Sequence, residues 1–403
     1  MAALRPSAPS AARDADRVFA ICMLLCLIGL FGLLSAAAFL GGGAAGGAAY
    51  GEDPHGLFKR QAVALLIALG VYGLVRRMPL PWLDRSARVG LVLAFGLLLL
   101  VLVPGVGSVE GCARRWFRCG PVSVQPSEIA KLALIAFLAH HLSRQRHRLH
   151  DFRTGVVPPV AVILALAGLV ALEPDIGTAL LLAVVGFAML VVAGVRIRHL
   201  LPFAGIGLPA LVGLMALRFE HVVPRIRAML DPMACYQTRQ SLLALGSGHV
   251  FGRGLGEGRQ KLDFLPQIHG DFLLAGIGEE LGLVGCLLVL GLFAAFLVHG
   301  VRLLGAVADP FGFFAGVGVV CLIGLQAAMN IAVVTASVPP KGIALPFLSQ
   351  GGTSLLVMFT GLAVLVKAGR AAADGPSRER TLEGGCTSSD PPLATGRLRG
   401  SQA

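Results

Sequence analysis

The sequence predicts an all-α integral membrane protein of ten transmembrane helices, with a long outside loop between the seventh and eighth. Three observations carry this. Of the 403 residues, 56% are hydrophobic and only 14% are charged, and the mean hydropathy is +0.79. Soluble domains carry about a quarter charged residues, so a soluble enzyme or a disordered chain is excluded. Apolar runs long enough to cross about 30 Å of hydrocarbon occur ten times. None of them alternates with period two, as the strands of a membrane barrel would.

Residues 1–17 form a cytoplasmic segment ahead of the first run. Arg13 and Arg17 make a basic start like that of a signal peptide. The apolar stretch after them exceeds the usual 7–15 residues, which favours a retained helix over a cleaved one. The runs lie at 18–40, 57–75, 87–104, 127–142, 155–172, 176–194, 199–217, 272–300, 311–336 and 350–369. Only Glu173-Pro174-Asp175 separates the fifth from the sixth. A proline between two acids breaks the run, and a tight hairpin is expected. Residues 18–370 thus form one domain, with an outside loop at 218–271 and a Gly-, Ser-, Pro- and charge-rich tail at 371–403 that reads as disordered.

Orientation follows from Lys and Arg placement. With the N-terminus inside, the short inside segments hold Arg76, Arg77, Arg85, Arg88, Arg144, Arg146, Arg148, Arg153, Arg196, Arg198 and Arg302. The short outside segments hold only Lys59, Arg60, Arg114, Arg115, Arg118 and Lys341. Both termini are then cytoplasmic, and most of the +12 net charge is a topological signal. No basic patch interleaves with aromatics, so nucleic acid is not an expected partner. The 218–271 loop is also basic, which fits either a solvated loop face or a surface for an anionic, lipid-linked substrate.

Four of the eight cysteines (Cys22, Cys26, Cys286 and Cys321) lie in apolar spans, where Cys acts as a small hydrophobe. Cys112 and Cys119 flank Ala-Arg-Arg-Trp-Phe-Arg in an outside loop. That spacing can close a hairpin, and the compartment permits a disulfide; two free thiols are the other possibility. No Cys/His spacing resembles a zinc site.

Ionisable residues at the mouths of membrane spans are costly and start as functional candidates. In Gln125-Pro-Ser127-Glu128-Ile-Ala-Lys131 the proline can open a helix, with Glu128 in its first turn. Glu128 and Lys131 are three apart and can pair, either as a structural ion pair or as one wall of an outward-opening cavity. Glu173 and Asp175 fit a plain turn, or a pair that holds a cation or positions the adjacent loop. The ladder from Gly246 to Gly258 lacks the strand–loop–helix context of a phosphate loop and reads as a tightly folded loop near the bilayer. Asp271 ends the outside loop where an apolar helix begins. It fits either an N-cap or a partly desolvated carboxylate suited to general-base work. Glu279 and Glu280 lie two turns further, roughly 12 Å along a helix, too far to pair with Asp271 as in a glycoside hydrolase. Lys341 is the one basic residue in Pro339-Pro-Lys-Gly-Ile-Ala-Leu-Pro-Phe347, and fits a pyrophosphate contact or a solvated side chain equally.

Six separated motifs then resemble the SEDS (shape, elongation, division and sporulation) family. They are Ala113-Arg-Arg-Trp116, Gln125 to Lys131, Glu173-Pro-Asp-Ile-Gly-Thr178, Gln260-Lys-Leu-Asp-Phe-Leu-Pro266, Asp271 with Ile277-Gly-Glu-Glu-Leu-Gly282, and Leu345-Pro-Phe-Leu-Ser-Gln-Gly-Gly352. The resemblance spans about 18–370 and is stronger to the FtsW and SpoVE branches than to RodA. It implies a bacterial plasma-membrane glycosyltransferase that polymerises lipid II into peptidoglycan, in septal or spore-type wall synthesis rather than elongation, with the division septum as the expected place. It further implies Asp271 as general base on the acceptor GlcNAc 4-hydroxyl, with undecaprenyl pyrophosphate leaving.

The implied substrate-binding set is Arg114, Arg115, Gln125, Ser127, Glu128, Lys131, Gln240, Lys261, Asp263 and Lys341, supported by Asp175, His269, Glu279 and Glu280. No metal ligands are assigned, and a divalent cation (Mg or Mn) is left open as a cofactor. The implied partners are membrane lipids and a class B penicillin-binding protein, a transpeptidase. The chain departs from the family in having Gln267 for Glu, Gly270 for Thr and Gln350 for Tyr, so Gln267 is given no acid–base role. A lipid II flippase is the competing expectation and a non-catalytic scaffold a third. No inverted repeat of the transporter kind relates the two halves.

Overall fold

The structure is a computed structural model, and it describes residues 8–40, 54–110, 113–119, 122–146, 149, 151–216, 235–258, 270–339 and 342–383. Lys261, Asp263, His269, Lys341 and the Cys112–Cys119 pairing lie outside the described residues or side chains. The helices are α1 (Ala8–Leu40), α2 (Pro54–Arg77), α3 (Leu80–Leu102), α4 (Pro126–Arg144), α5 (Val157–Leu172), α6 (Ile176–Val192), α7 (Ile197–Ala216), α8 (Tyr236–Ser247), α9 (Leu273–Ala306), α10 (Pro310–Val334) and α11 (Gly352–Glu383).

Among the described residues, seven helical segments are long and apolar enough to cross a membrane: Ser10–Ser35, Gly56–Arg77, Leu80–Leu102, Phe152–Leu172, Leu273–Ala306, Pro310–Val334 and Gly352–Ala371. Helices α4, α6 and α7 cover the other three apolar runs. Helix α4 is the most polar of these, because Ser127, Glu128, Lys131, His140 and His141 are buried along it. Leu66, Val92 and Leu287 are more than half exposed, as expected for side chains that face lipid. Small residues bring backbones close. A Cβ at Gly29 of α1 would lie 2.4 Å from the Leu348 carbonyl, and one at Gly318 of α10 would strike Ile135 of α4 and Met189 of α6.

The all-helical expectation fails between α3 and α4. Three short strands, β1 (Ser108–Glu110), β2 (Ala113–Cys119) and β3 (Val122–Val124), form an antiparallel meander. Ser108 faces Trp116, and Phe117 faces Val124. The pairing slips by one residue between Ser108 and Val109, which leaves Arg115 as the extra residue of a bulge on β2, between the paired Arg114 and Trp116. Strands this short carry too few residues to show the alternation as a distinct signal.

The end helices also outrun the apolar runs. Helix α1 begins at Ala8 because its first turns pack: Ala11 and Ala15 are buried, and Asp14 bonds His299 at 2.8 Å. Helix α11 continues to Glu383, past the end of the last run. At this end of the bundle, opposite Asp271, Asp84 of α3 bonds His140 at 2.7 Å and Arg144 at 3.0 Å.

Helix α9 is not continuous. Gly282 has φ +66° and ψ −159°, which breaks the helix after Leu281. The freed groups are met by the glycine-rich loop after α8. Arg253 and Gly254 donate backbone N–H bonds to the Glu279 and Glu280 carbonyls, and Leu283 and Val284 donate to the carbonyls of His249 and Val250. Irregular backbone at membrane depth is tolerated only where protein satisfies it. Gly252, Gly254 and Gly256 all adopt positive φ, a region open to glycine at little cost.

Candidate active site

The site gathers where the α5–α6 hairpin, the β2 strand, the start of α9 and the loop before α11 meet. Asp271 stands two residues ahead of α9. Phe272 occupies the N-cap position and makes no side-chain cap bond, so Asp271 is not a helix cap. Its carboxyl is pushed up to about 7, chiefly by burial, further by the negative charge of Asp175, with Arg115 opposing. A carboxylate with a pKa near ambient pH has the proton affinity a general base needs.

Asp175 is itself the N-cap of α6 and accepts from the Thr178 N–H at 3.1 Å. Glu173, one residue before Pro174, is 1% exposed. Neither of its carboxylate oxygens has a hydrogen-bond partner. Burial, with Asp175 adding and Arg115 opposing, pushes this carboxyl to about 8. It is therefore mostly neutral at pH 7, which removes the cost of burying a lone charge.

Arg115 reaches across from β2. Its Nε donates to the Glu173 carbonyl at 2.8 Å and its Nη2 to the Pro174 carbonyl. These are the orphan acceptors at the C-terminus of α5. Arg115 is therefore engaged in capping that helix and setting the charge balance at Asp271, rather than standing as an open cation. Arg114, its neighbour on β2, is paired with Val109 of β1 and exposed.

One turn deeper, the predicted α4 pair is present. Lys131 Nζ donates to Glu128 at 2.7 Å and to Gln326 of α10 at 2.9 Å, with Lys131 2% exposed. Gln326 donates in turn to the Ala344 carbonyl at 2.9 Å. Asn330, one turn along α10, donates to the carbonyls of Asp271 and Ile343, both at 2.8 Å. The loop before α11 is fixed again where Ser349 accepts from the Leu345 N–H at 2.9 Å. Gln61 bonds both the Ser349 carbonyl and the Gly351 N–H. Thr353 ties the start of α11 to β3 through the Ser123 carbonyl and to the Gln125 N–H. A Cβ at Gly342 would lie 3.4 Å from Asp271 Oδ2, so the loop backbone at Gly342 runs beside the carboxylate.

Ser127 is fully buried, and its hydroxyl, like Glu128 Oε2, has no hydrogen-bond partner. Gln240 lies half-buried on α8. Glu279 and Glu280 do not join Asp271. Glu280 accepts from Ser35 of α1 at 3.0 Å and from the Gly256 N–H at 3.3 Å, and both acids lie under the loop around Gly258. They belong to the join between α1, α9 and the glycine-rich loop. Among the described residues, no group of three or more His, Cys, Asp or Glu side chains is arranged to hold a metal ion, so no site for the divalent cation is built there.

Glu173, Gln326, Asn330 and Gly342 were not in the predicted set. Gln326 and Asn330 did carry a signal, two amides four residues apart in an apolar span, but a census of ionisable groups passes over them.

The chain matches the profile of the FtsW/RodA/SpoVE family, described as cell cycle protein, over residues 16–373. It is 38% identical over 357 residues to stage V sporulation protein E of Bacillus subtilis, covering 87% of this chain and 95% of that protein. It is also 38% identical over 322 residues to a probable peptidoglycan glycosyltransferase FtsW of a Geobacter species, covering 78% and 87%. Among solved structures, a chain from a peptidoglycan synthase complex, studied for the coordination of polymerization and crosslinking, superposes with a TM-score of 0.70. That chain is 27% identical, with 88% of this chain and 97% of that one covered. The rod shape determining protein RodA of Thermus thermophilus gives a TM-score of 0.64 at 29% identity, covering 88% and 95%. With nearly the whole span from α1 to α11 matched, the chain belongs to the FtsW/RodA/SpoVE family.

Proposed function

We propose that this chain is a ten-span plasma-membrane peptidoglycan glycosyltransferase, with both termini in the cytoplasm, that polymerises lipid II during division. The observation that carries the reading is Asp271. It is a buried carboxyl with its proton affinity raised to about 7, fixed through its backbone by Asn330 and flanked by the loop backbone at Gly342.

In the proposed reaction, Asp271 accepts the proton of the acceptor GlcNAc 4-hydroxyl as that oxygen attacks the donor's anomeric carbon. The bond from that carbon to the pyrophosphate oxygen breaks, and undecaprenyl pyrophosphate leaves. Positive charge aimed at a departing anion lowers the barrier; Arg114, exposed on β2, and Lys341 are the cations assigned to it. Lys131 and Glu128 form the inner polar wall, and the apolar faces between helices carry the lipid tails. The FtsW relatives' names supply the substrate class, and the synthase-complex neighbour supports a class B penicillin-binding protein as partner.

The test is reconstitution of the full chain with that partner and labelled lipid II, with products resolved on a gel. Glycan ladders that disappear in Asp271→Asn support the reading. Ladders that persist in Asp271→Asn refute the base assignment. Lipid II movement across vesicles with no polymer would replace the enzyme with a flippase.

A further inference from the structure

We propose that Asn330, with Gln326 one turn below it, is a positioning residue that holds the Asp271 carboxylate in place against the Gly342–Leu345 loop. The proposal rests on Asp271 being the base, and adds the device that aims it. Asn330 is fully buried and Gln326 1% exposed, in a helix otherwise apolar at that depth. Such amides persist in hydrocarbon only when their donors are matched.

The partners fix which way each amide points. Gln326 turns its oxygen to the Lys131 ammonium and its nitrogen to the Ala344 carbonyl. Asn330 sits between two carbonyls, Asp271 O and Ile343 O, and uses both hydrogens of one NH2 group to join them. Its own oxygen, Oδ1, is left with no hydrogen-bond partner. An orphaned buried acceptor costs about 1–3 kcal/mol, so the side chain is arranged for donation alone.

The two carbonyls come from different loops, one leading into α9 and the other following α10. A single side-chain nitrogen therefore sets the spacing between the backbone that carries the carboxylate and the backbone beside Gly342. Through Gln326 the same loop is registered against Lys131 on α4. Among the described residues, the hydrogen bonds of the two amides go to backbone carbonyls and to Lys131, so they act through Asp271 rather than on substrate. A displacement of about 1 Å in a reacting group costs on the order of a hundredfold in rate.

The test compares Asn330→Ala and Asn330→Ser in the reconstituted complex, per folded molecule, with thermal midpoints measured alongside. The Ala variant loses both bonds, and kcat should fall roughly 10- to 100-fold. KM for lipid II should change less than kcat, because Asn330 bonds backbone and not substrate, although the loop it fixes at Ile343 also carries Lys341. The Ser variant, whose hydroxyl donates one bond, should fall between Ala and the parent. The acid limb of the rate profile should stay where it is, since placement and not ionisation has changed.

An Asn330→Ala enzyme with kcat within about twofold of the parent overturns the proposal. So does a loss that appears in KM alone, or a Ser variant no better than Ala. Asp271→Asn is run in parallel: if it still polymerises, the base reading fails; if it is inactive while Asn330→Ala is unaffected, only the positioning role fails.

Discussion

Replacing Asp175 by Asn removes one negative charge beside Asp271 and keeps an oxygen able to cap α6, since Asn caps a helix as well as Asp. Burial and the Asp175 charge together carry the Asp271 carboxyl from an ordinary 3.8 to about 7, against the pull of Arg115. Burial is the larger cause, so losing Asp175 should lower the value by about one pH unit, worth about 1.4 kcal/mol. The sign is fixed: with less repulsion the carboxylate forms at lower pH. At pH 6 the ionised fraction rises from roughly one-tenth to roughly one-half, so turnover there should rise about fivefold while turnover at pH 8 barely changes. The assay is lipid II polymerisation from pH 5 to 9 with lipid II well below KM, read as initial rates of glycan formation, so that the free enzyme's carboxyl is the one titrated. An acid limb that stays at about 7, or moves upward, refutes this account of how the base is tuned.

Other perturbations give equally definite outcomes. Glu173 carries a raised carboxyl, 4.5 to about 8, so its folded form holds a proton that the unfolded chain releases. Its stabilisation is complete below about 4.5 and is lost as pH rises through 8, by on the order of 5 kcal/mol across that window. Glu173→Gln should therefore gain thermal stability over the parent as pH rises from 5 to 8.5, and parallel melting curves would contradict this. Lys131→Met leaves Glu128 buried without its ammonium, which should destabilise the fold by roughly 3–5 kcal/mol. Adding Glu128→Gln should restore a large part of that loss in denaturant titrations of the detergent-solubilised protein, and a double variant no better than Lys131→Met would argue that the pair is not coupled.

The helices were legible because each apolar run states its own solvent, with no reference to the rest of the chain. The Glu128–Lys131 pair was legible for the same reason: a three-residue offset on a helix is local geometry. Asp271 stood out by position, at the last polar residue before an apolar span. The features that escaped depend on partners distant in sequence. Gln326 and Asn330 are ordinary amides until loops some 13 to 59 residues away present their carbonyls. Gly282 lies in an apolar run, and the reason for a glycine at the break is distant in sequence: any Cβ there would strike the backbone of Val250 and Gly252. Arg114 and Arg115 are identical as letters. The pairing of β2 with its neighbours is what separates an exposed cation from a helix cap.

That strand also constrains how the protein can change over generations. The side-chain period of a strand is two, so a shift of one residue moves every side chain to the opposite face. Arg115 is the unpaired residue of the bulge, so deleting one residue between Ala113 and Trp116 would restore plain pairing and take Arg115 off the Glu173 and Pro174 carbonyls. The hairpin would lose its cap and the Asp271 carboxyl its opposing charge, although no residue type had been lost. Length in this segment therefore constrains the Arg115 contacts more tightly than composition does: another cation at Arg114 leaves the Glu173 and Pro174 carbonyls capped, whereas a one-residue change of length beside it does not.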